Sequence, residues 1–252
     1  MASPPLLGRL RSALRAVADP SKAPAMQAYM KSSMPYHGVP TPALRHVCRE
    51  VFAVVDLPSA TAWRREVLGL WRGARYREER YGAIALSGER RAREFQTPAV
   101  LPLYEEMIVT GAWWDYVDEI AQHRVGLLLR HFPEPMRRTM LRWSRDDHLW
   151  KRRTAILCQN AFKADTDRAL LYACIEPSIG SREFFLRKAI GWALRQYAWT
   201  DPREVARYVE KNARRLSPLS VREALKNVSP RLRPSPRLAR RATAVSTPTR
   251  RA

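Results

Sequence analysis

The sequence has little of what a sheet, a disulfide framework or a cofactor site is made from. Its three cysteines, Cys48, Cys158 and Cys174, stand far apart, are odd in number and form no CxxC pair. That argues against a disulfide framework or a zinc site and fits a reducing compartment. The ten glycines are scattered, so no Gly-rich loop is present to cradle a phosphate. The five histidines, His37, His46, His123, His131 and His148, are equally dispersed, and neither HxxxH, HExxH nor a GxSxG elbow occurs. β-Branched alternation is nearly absent, which excludes a half-buried sheet. No apolar run reaches the ~18 residues of a membrane span. The opening stretch MASPPLLGRLRSALRAVADP lacks an export core and carries Asp19. The expectation is a soluble cytoplasmic protein with no cofactor and no metal. If it is an enzyme, it works with carboxylates, aromatics and arginine.

Acids are scarce beside the cations. There are 24 Asp and Glu against 45 Lys and Arg, for a formal net charge of +21 and a pI near 10.9. Arginine makes up 38 of those cations. Its planar fork matches phosphate oxygens, so the excess points to a polyanion, although a G- and C-rich genome also inflates arginine. Residues 229–252 hold seven arginines and no acid; without those seven charges the +21 falls to +14 for residues 1–228. The tail therefore does not account for the balance. It is rich in Pro, Arg and Thr with little to bury, and reads as a disordered segment that adds nonspecific phosphate affinity.

What the chain does have is helix formers: Ala, Leu, Arg and Glu dominate. Short breakers such as ADPSKAP, MPYHGVPTP, FQTPAVLP and IEPSIGS separate segments of helical length. The expected helices cover 5–17, 22–32, 41–54, 60–72, 76–88, 98–109, 113–130, 134–144, 147–162, 166–175, 181–198, 202–212 and 218–227. Thr41-Pro42, Asp201-Pro202 and the Ser220–Glu223 spacing look like helix starts. The echoes RYGAI (from Arg80), RTAI (from Arg153) and RKAI (from Arg187) recur inside helices, the last two ~34 residues apart, a period of helix-pair repeats. These features predict an all-α chain with one domain over 1–228, tilted toward helical repeats. A right-handed stack of helix pairs would present a concave basic groove.

Some residues sit oddly on these helices. Trp113 and Trp114 are followed by Asp115, Asp118 and Glu119 in an otherwise basic protein. Trp114 and Asp118, four apart, share one helical face. Asp115 and Glu119 share the next strip and read as surface charge. On the 147–162 helix, Arg153 falls at the edge of the apolar stripe and needs an anionic partner, either an internal carboxylate or a ligand phosphate. On the 181–198 helix, Leu186, Ile190, Ala193 and Tyr197 form the stripe, and Trp192 lies about 120° away. Trp192 either packs under a neighbouring helix or faces a groove.

The stretches YMKSSMPYHGVPTPALR (29–45), WWDYVDEIA (113–121), LWKRRTAILCQ (149–159), SREFFLRKAIGWALRQYAWTDPREVARYV (181–209) and LSPLSVREALKNV (216–228) together resemble the AlkD family of DNA alkylation repair glycosylases. The resemblance spans roughly residues 22–228 in the family's motif order. It implies HEAT-like helical repeats curved around a basic channel. It also implies a monofunctional glycosylase that excises 3-methyladenine and 7-methylguanine from double-stranded DNA without a base-flipping pocket. It carries over four residues: Asp118 as the catalytic aspartate, Trp114 and Trp192 as cleft tryptophans, and Arg153 as the cleft arginine, expected to grip a phosphate beside the lesion. It further suggests a monomer; the expected location is cytoplasmic and nucleoid-associated, with no membrane and no obligate protein partner. His37 departs from the apolar residue usual in the family. The alternative function is a non-catalytic HEAT-like module that binds DNA or an acidic protein partner.

Overall fold

The computed structural model describes residues 5–234, and among these the chain is all-helical, with no strand. The α-helices are α1 (Leu6–Ala16), α2 (Ala23–Met30), α3 (Thr41–Ala53), α4 (Ala60–Gly73), α5 (Arg77–Ser87), α6 (Leu101–Gly111), α7 (Trp114–Ile120), α8 (Gly126–His131), α9 (Pro133–Trp143), α10 (Leu149–Leu157), α11 (Arg168–Ile175), α12 (Phe184–Tyr197), α13 (Pro202–Lys211) and α14 (Pro218–Ala224). The all-α class expected from composition is what the structure shows, and each expected segment contains a helix. A succession of short helices without strands is consistent with helical repeats.

The differences are local and have local causes. The helix expected over 113–130 is interrupted by a π-helical turn at Ala121–Val125, between α7 and α8. The helix expected over 147–162 stops at Leu157. Six residues expected to be loop, Arg90–Phe95, form a 3-10 helix instead. Asp201 caps α13 as expected, its side chain accepting from the Glu204 amide at 2.9 Å. Thr41 is the first residue of α3 rather than its cap. The cap of α14 is Ser217, which accepts from the Ser220 amide at 3.0 Å, so Ser220 lies inside the helix.

The chain divides into two compact units, Met1–Met107 and Ile108–Ala252. In the first, α1 packs on α3, α4 and α5. Its core holds Leu10, Leu14, Trp63, Val67, Leu70, Trp71 and Leu86, all at most 1% exposed. Leu6, Leu10 and Leu14 recur every four residues, which puts them on one face. Two buried acids secure this unit. Glu78 accepts from the amides of His37, Gly38 and Val39 at 2.9–3.1 Å, which pins the MPYHGV loop to α5. Glu79 takes a fork from Arg11, Nε at 2.6 Å and Nη2 at 3.0 Å. Gly38 is required in that loop: its φ is +82°, and a Cβ there would lie 1.9 Å from the Asp19 carbonyl oxygen. His37 is buried, its ring stacked on Tyr76 at 3.7 Å.

In the second unit α12 is central, with α10 and α14 packed against it. Leu186, Ile190 and Ala193 are buried as the wheel requires. Gly191 lets α14 come unusually close, since a Cβ at that position would meet the Glu223 Cβ at 2.5 Å and the Ser220 carbonyl oxygen at 2.9 Å. Polar bonds lock the contact: Ser220 Oγ donates to the Arg187 carbonyl at 2.9 Å and Asn227 Nδ2 to the Arg195 carbonyl at 3.2 Å. The first residues of the expected tail are ordered, with a 3-10 turn at Pro230–Leu232 and Arg233 Nε donating to the Val228 carbonyl at 3.0 Å. The rest of the segment expected to be disordered, 235–252, lies outside the described residues. No described helix is long and apolar enough to cross a membrane.

Candidate active site

Helix α7 is short and buried on most of its circumference. Tyr116, Val117 and Ile120 are fully buried, Trp114 and Asp115 are half-buried, and Glu119 is exposed. At 100° per residue, Asp118 falls beside Trp114 and off the apolar arc of Tyr116, Val117 and Ile120. The arc therefore does not explain why Asp118 is only 8% exposed. Its cover comes from α10, which packs on α7 and on α12.

The cover is Arg153. Its Nε donates to Asp118 Oδ1 at 2.7 Å and its Nη2 to Oδ2 at 2.8 Å, a bidentate fork. Its Nη1 donates to the Phe185 carbonyl in the first turn of α12 at 2.6 Å. The Arg153 side chain is 4% exposed. Of the two partners the sequence left open, the internal carboxylate is the one found. In this arrangement the guanidinium is held inside the protein, with its donors on Asp118 and on the Phe185 carbonyl. Three helices are thus tied at one point: α7 through Asp118, α10 through Arg153 and α12 through a backbone carbonyl.

Burial lifts the Asp118 carboxyl above the ordinary aspartate range; the Arg153 fork pulls it the other way, and the neighbouring Asp115 adds a smaller upward push. A carboxylate offers about four lone-pair sites, and the fork occupies one on each oxygen. Asp118 therefore keeps acceptor capacity toward solvent. The π-helical turn just beyond it brings Gln122 Nε2 onto the Asp118 carbonyl at 3.0 Å. Such turns gather at functional sites. Gly126, at the end of that turn, is needed for packing, because a Cβ would lie 2.4 Å from the Cys158 carbonyl oxygen.

An aromatic cluster walls one side of the fork. Phe185 lies 4.9 Å from Trp150 and 5.4 Å from Trp113, centroid to centroid, and the Arg153 guanidinium sits 5.8 Å from the Phe185 ring centre. Trp113 packs in this cluster, with a buried Nε1 that has no hydrogen-bond partner. Trp114 opens α7 and is half-buried, one turn before Asp118. Trp192 is also half-buried and rests against the core around α12 on one side. It lies seven residues beyond Phe185, ~10 Å along the helix axis. The structure thus brings Asp118 and Arg153 into direct contact, keeps Trp114 on the same helix as Asp118, and ties the start of Trp192's helix to the pair. Sequence reasoning missed the Phe185 carbonyl, because a backbone acceptor leaves no signature in side-chain patterns.

Among the described residues no group of three or more His, Cys, Asp or Glu is placed to hold a metal ion. In comparison with known proteins, residues 10–228 match a family model described as "DNA alkylation repair enzyme". A solved structure titled "Predicted DNA alkylation repair enzyme from Enterococcus faecalis" superposes with a TM-score of 0.77 and 26% sequence identity, over 84% of this chain and 97% of its own. No curated protein matches the chain.

Proposed function

The chain belongs to the family of DNA alkylation repair enzymes, and from that premise we propose that it is a monofunctional DNA glycosylase for purines made cationic by alkylation at N3 or N7. On this reading residues 1–228 act as one DNA-binding domain. The observation that carries the proposal is Asp118: a nearly buried carboxylate, forked by Arg153, beside a half-exposed tryptophan in a protein of +21 net charge.

The chemistry asks for that arrangement. An N3- or N7-alkylated purine already carries a positive charge and leaves without a strong general acid. The C1′–N9 bond breaks with its electron pair going to N9, so the base departs neutral and the deoxyribose acquires oxocarbenium character. A carboxylate next to C1′ stabilises that charge. Water then adds to C1′ and gives its proton to the Asp118 carboxylate, leaving a 1′-hydroxyl abasic sugar. The logic resembles glycoside hydrolysis with one carboxylate in place of two. Trp114 and Trp192 offer flat faces to the sugar and backbone, and their ring quadrupoles favour the nearby positive charge. Arg153 contributes by holding Asp118 ionised and oriented.

The test is release of 7-methylguanine and formation of alkali-labile sites on methylated duplex DNA. Asp118→Asn is expected to lower the rate by ~10²–10³-fold, as for loss of an electrostatic stabiliser. Equal rates in wild type and variant would remove Asp118 from the chemistry. No release by the wild type would refute the enzyme reading and leave a DNA-binding module.

A further inference from the structure

Glu223 on α14 is 5% exposed and is shared by three cations. Its Oε1 is 2.9 Å from Lys188 Nζ and 2.7 Å from Lys226 Nζ, and its Oε2 is 2.9 Å from Arg195 Nη1. Burial works against the charge on Glu223, but the Lys226 and Lys188 ammonium groups prevail and bring its carboxyl down to about 2. The anchor is therefore ionised at any working pH, and the cluster as a whole carries a net positive charge of two.

The cations are not buried with their anchor. Their side chains are 38%, 25% and 51% exposed for Lys188, Arg195 and Lys226. An ammonium carries three donors and a guanidinium five, so each cation has donors left over after its bond to Glu223. Lys188 and Arg195 stand at i−4 and i+3 from Trp192, hence on its face of α12 and on either side of it along the axis. Gly191, next to Trp192, is what allows the Glu223 Cβ and the Ser220 backbone so close to α12. A side chain at 191 would push away the residue that gathers the three cations.

We propose that Lys188, Arg195 and Lys226, held together by Glu223, form a phosphodiester-binding site flanking Trp192. The inference rests on the reading of this chain as a DNA glycosylase and adds where the strand next to the lesion is held. Three mutually repelling cations would spread without the buried anion; with it, they present donors in one fixed array. Glu223 is here a positioning residue that touches no DNA. Such a site gives affinity and register without reading sequence.

The experiment is a salt titration of binding to unmodified duplex DNA, by fluorescence anisotropy. Lys226→Met removes a half-exposed side chain and leaves the core intact. It is expected to weaken binding and to reduce the slope of log K against log salt by ~0.9, one phosphate contact. Glu223→Gln discriminates further. Net charge alone predicts that removing an acid from a basic protein tightens binding; the proposal predicts weaker binding and a shallower slope. A Lys226→Met slope equal to wild type overturns the proposal. So does a folded Glu223→Gln protein that binds more tightly. Base release is read separately on methylated duplex. Loss of slope in Lys226→Met with no release by the wild type keeps this site and discards the glycosylase reading; normal release with an unchanged slope does the reverse.

Discussion

Replacing Arg153 by Met isolates what the fork does for the fold. The substitution keeps the length and apolar body of the side chain and removes three hydrogen bonds, two to Asp118 and one to the Phe185 carbonyl. At neutral pH it leaves a carboxylate that is 8% exposed with no charged partner. Removing one partner of a buried ion pair costs ~3–5 kcal/mol, a large part of the ~5–15 kcal/mol that holds a typical domain together. The loss depends on pH, and its sign follows from Asp118. Burial already raises this carboxyl above its ordinary value, and without Arg153 the main opposing influence is gone. A carboxyl whose folded pKa exceeds the unfolded value, about 3.9, binds its proton more tightly in the folded state. Stability is then greatest below the unfolded value and declines as pH rises to the folded one. The variant should recover stability on acidification, by about 1.4 kcal/mol for each pH unit crossed inside that window. Urea unfolding followed by circular dichroism at several pH values measures this. The double variant Asp118→Leu/Arg153→Met should regain most of the loss, since an apolar pair replaces a buried ion pair at little cost. A loss below about 1 kcal/mol, or one independent of pH, would refute the reasoning, because Asp118 would then be behaving as a solvated carboxylate.

Two further outcomes follow from packing. Gly191→Ala places a methyl group 2.5 Å from the Glu223 Cβ, against a neighbour anchored through backbone, and should lower stability by ~1–3 kcal/mol in the same unfolding assay; an unchanged midpoint would show that α14 can move away freely. The three cysteines should resist a thiol reagent in the native protein. Burial pushes Cys48 and Cys174 up to about 12 and Cys158 well above the ordinary range, and the thiolate is the reactive form. Labelling should appear only on unfolding, and rapid native labelling would contradict the burial.

The elements were legible because helix formers and breakers act locally. Pro42, Pro202 and Pro218 stand in first turns, and the apolar residues of α1 and α12 repeat at helical spacing. What escaped was set by contacts distant in sequence. The π-helical turn at Ala121–Val125 follows no breaker. Gly126, which marks its end, is needed for the approach of the Cys158 carbonyl, a contact that no local pattern contains. Spacing put Trp114 and Asp118 on one face, and the wheel showed Arg153 to be in want of an anion. It could not choose between Asp118, 35 residues away, and a phosphate. Glu223 looked like the acid of a capping box at Ser220. It is instead buried under α12, because Gly191 leaves room for it there.

Pairing the catalytic candidate with an arginine looks self-defeating, since the guanidinium offsets part of the negative charge that would meet an oxocarbenium ion. The alternative is worse. In a site this buried, desolvation drives an unpaired carboxyl toward its neutral form, which has no charge to offer. The fork gives up some field to keep the acid ionised, and it fixes both oxygens in direction, so that no reorganisation is needed as charge develops. The second Arg153 contact makes the direction depend on α12: the Phe185 carbonyl holds the guanidinium from the far side. The same helix carries Trp192 and, through Lys188 and Arg195, two of the three cations on Glu223. If the strand is held by that cluster, its position and the orientation of Asp118 are referred to one rigid element. A deformation of α12 would then disturb binding and chemistry together.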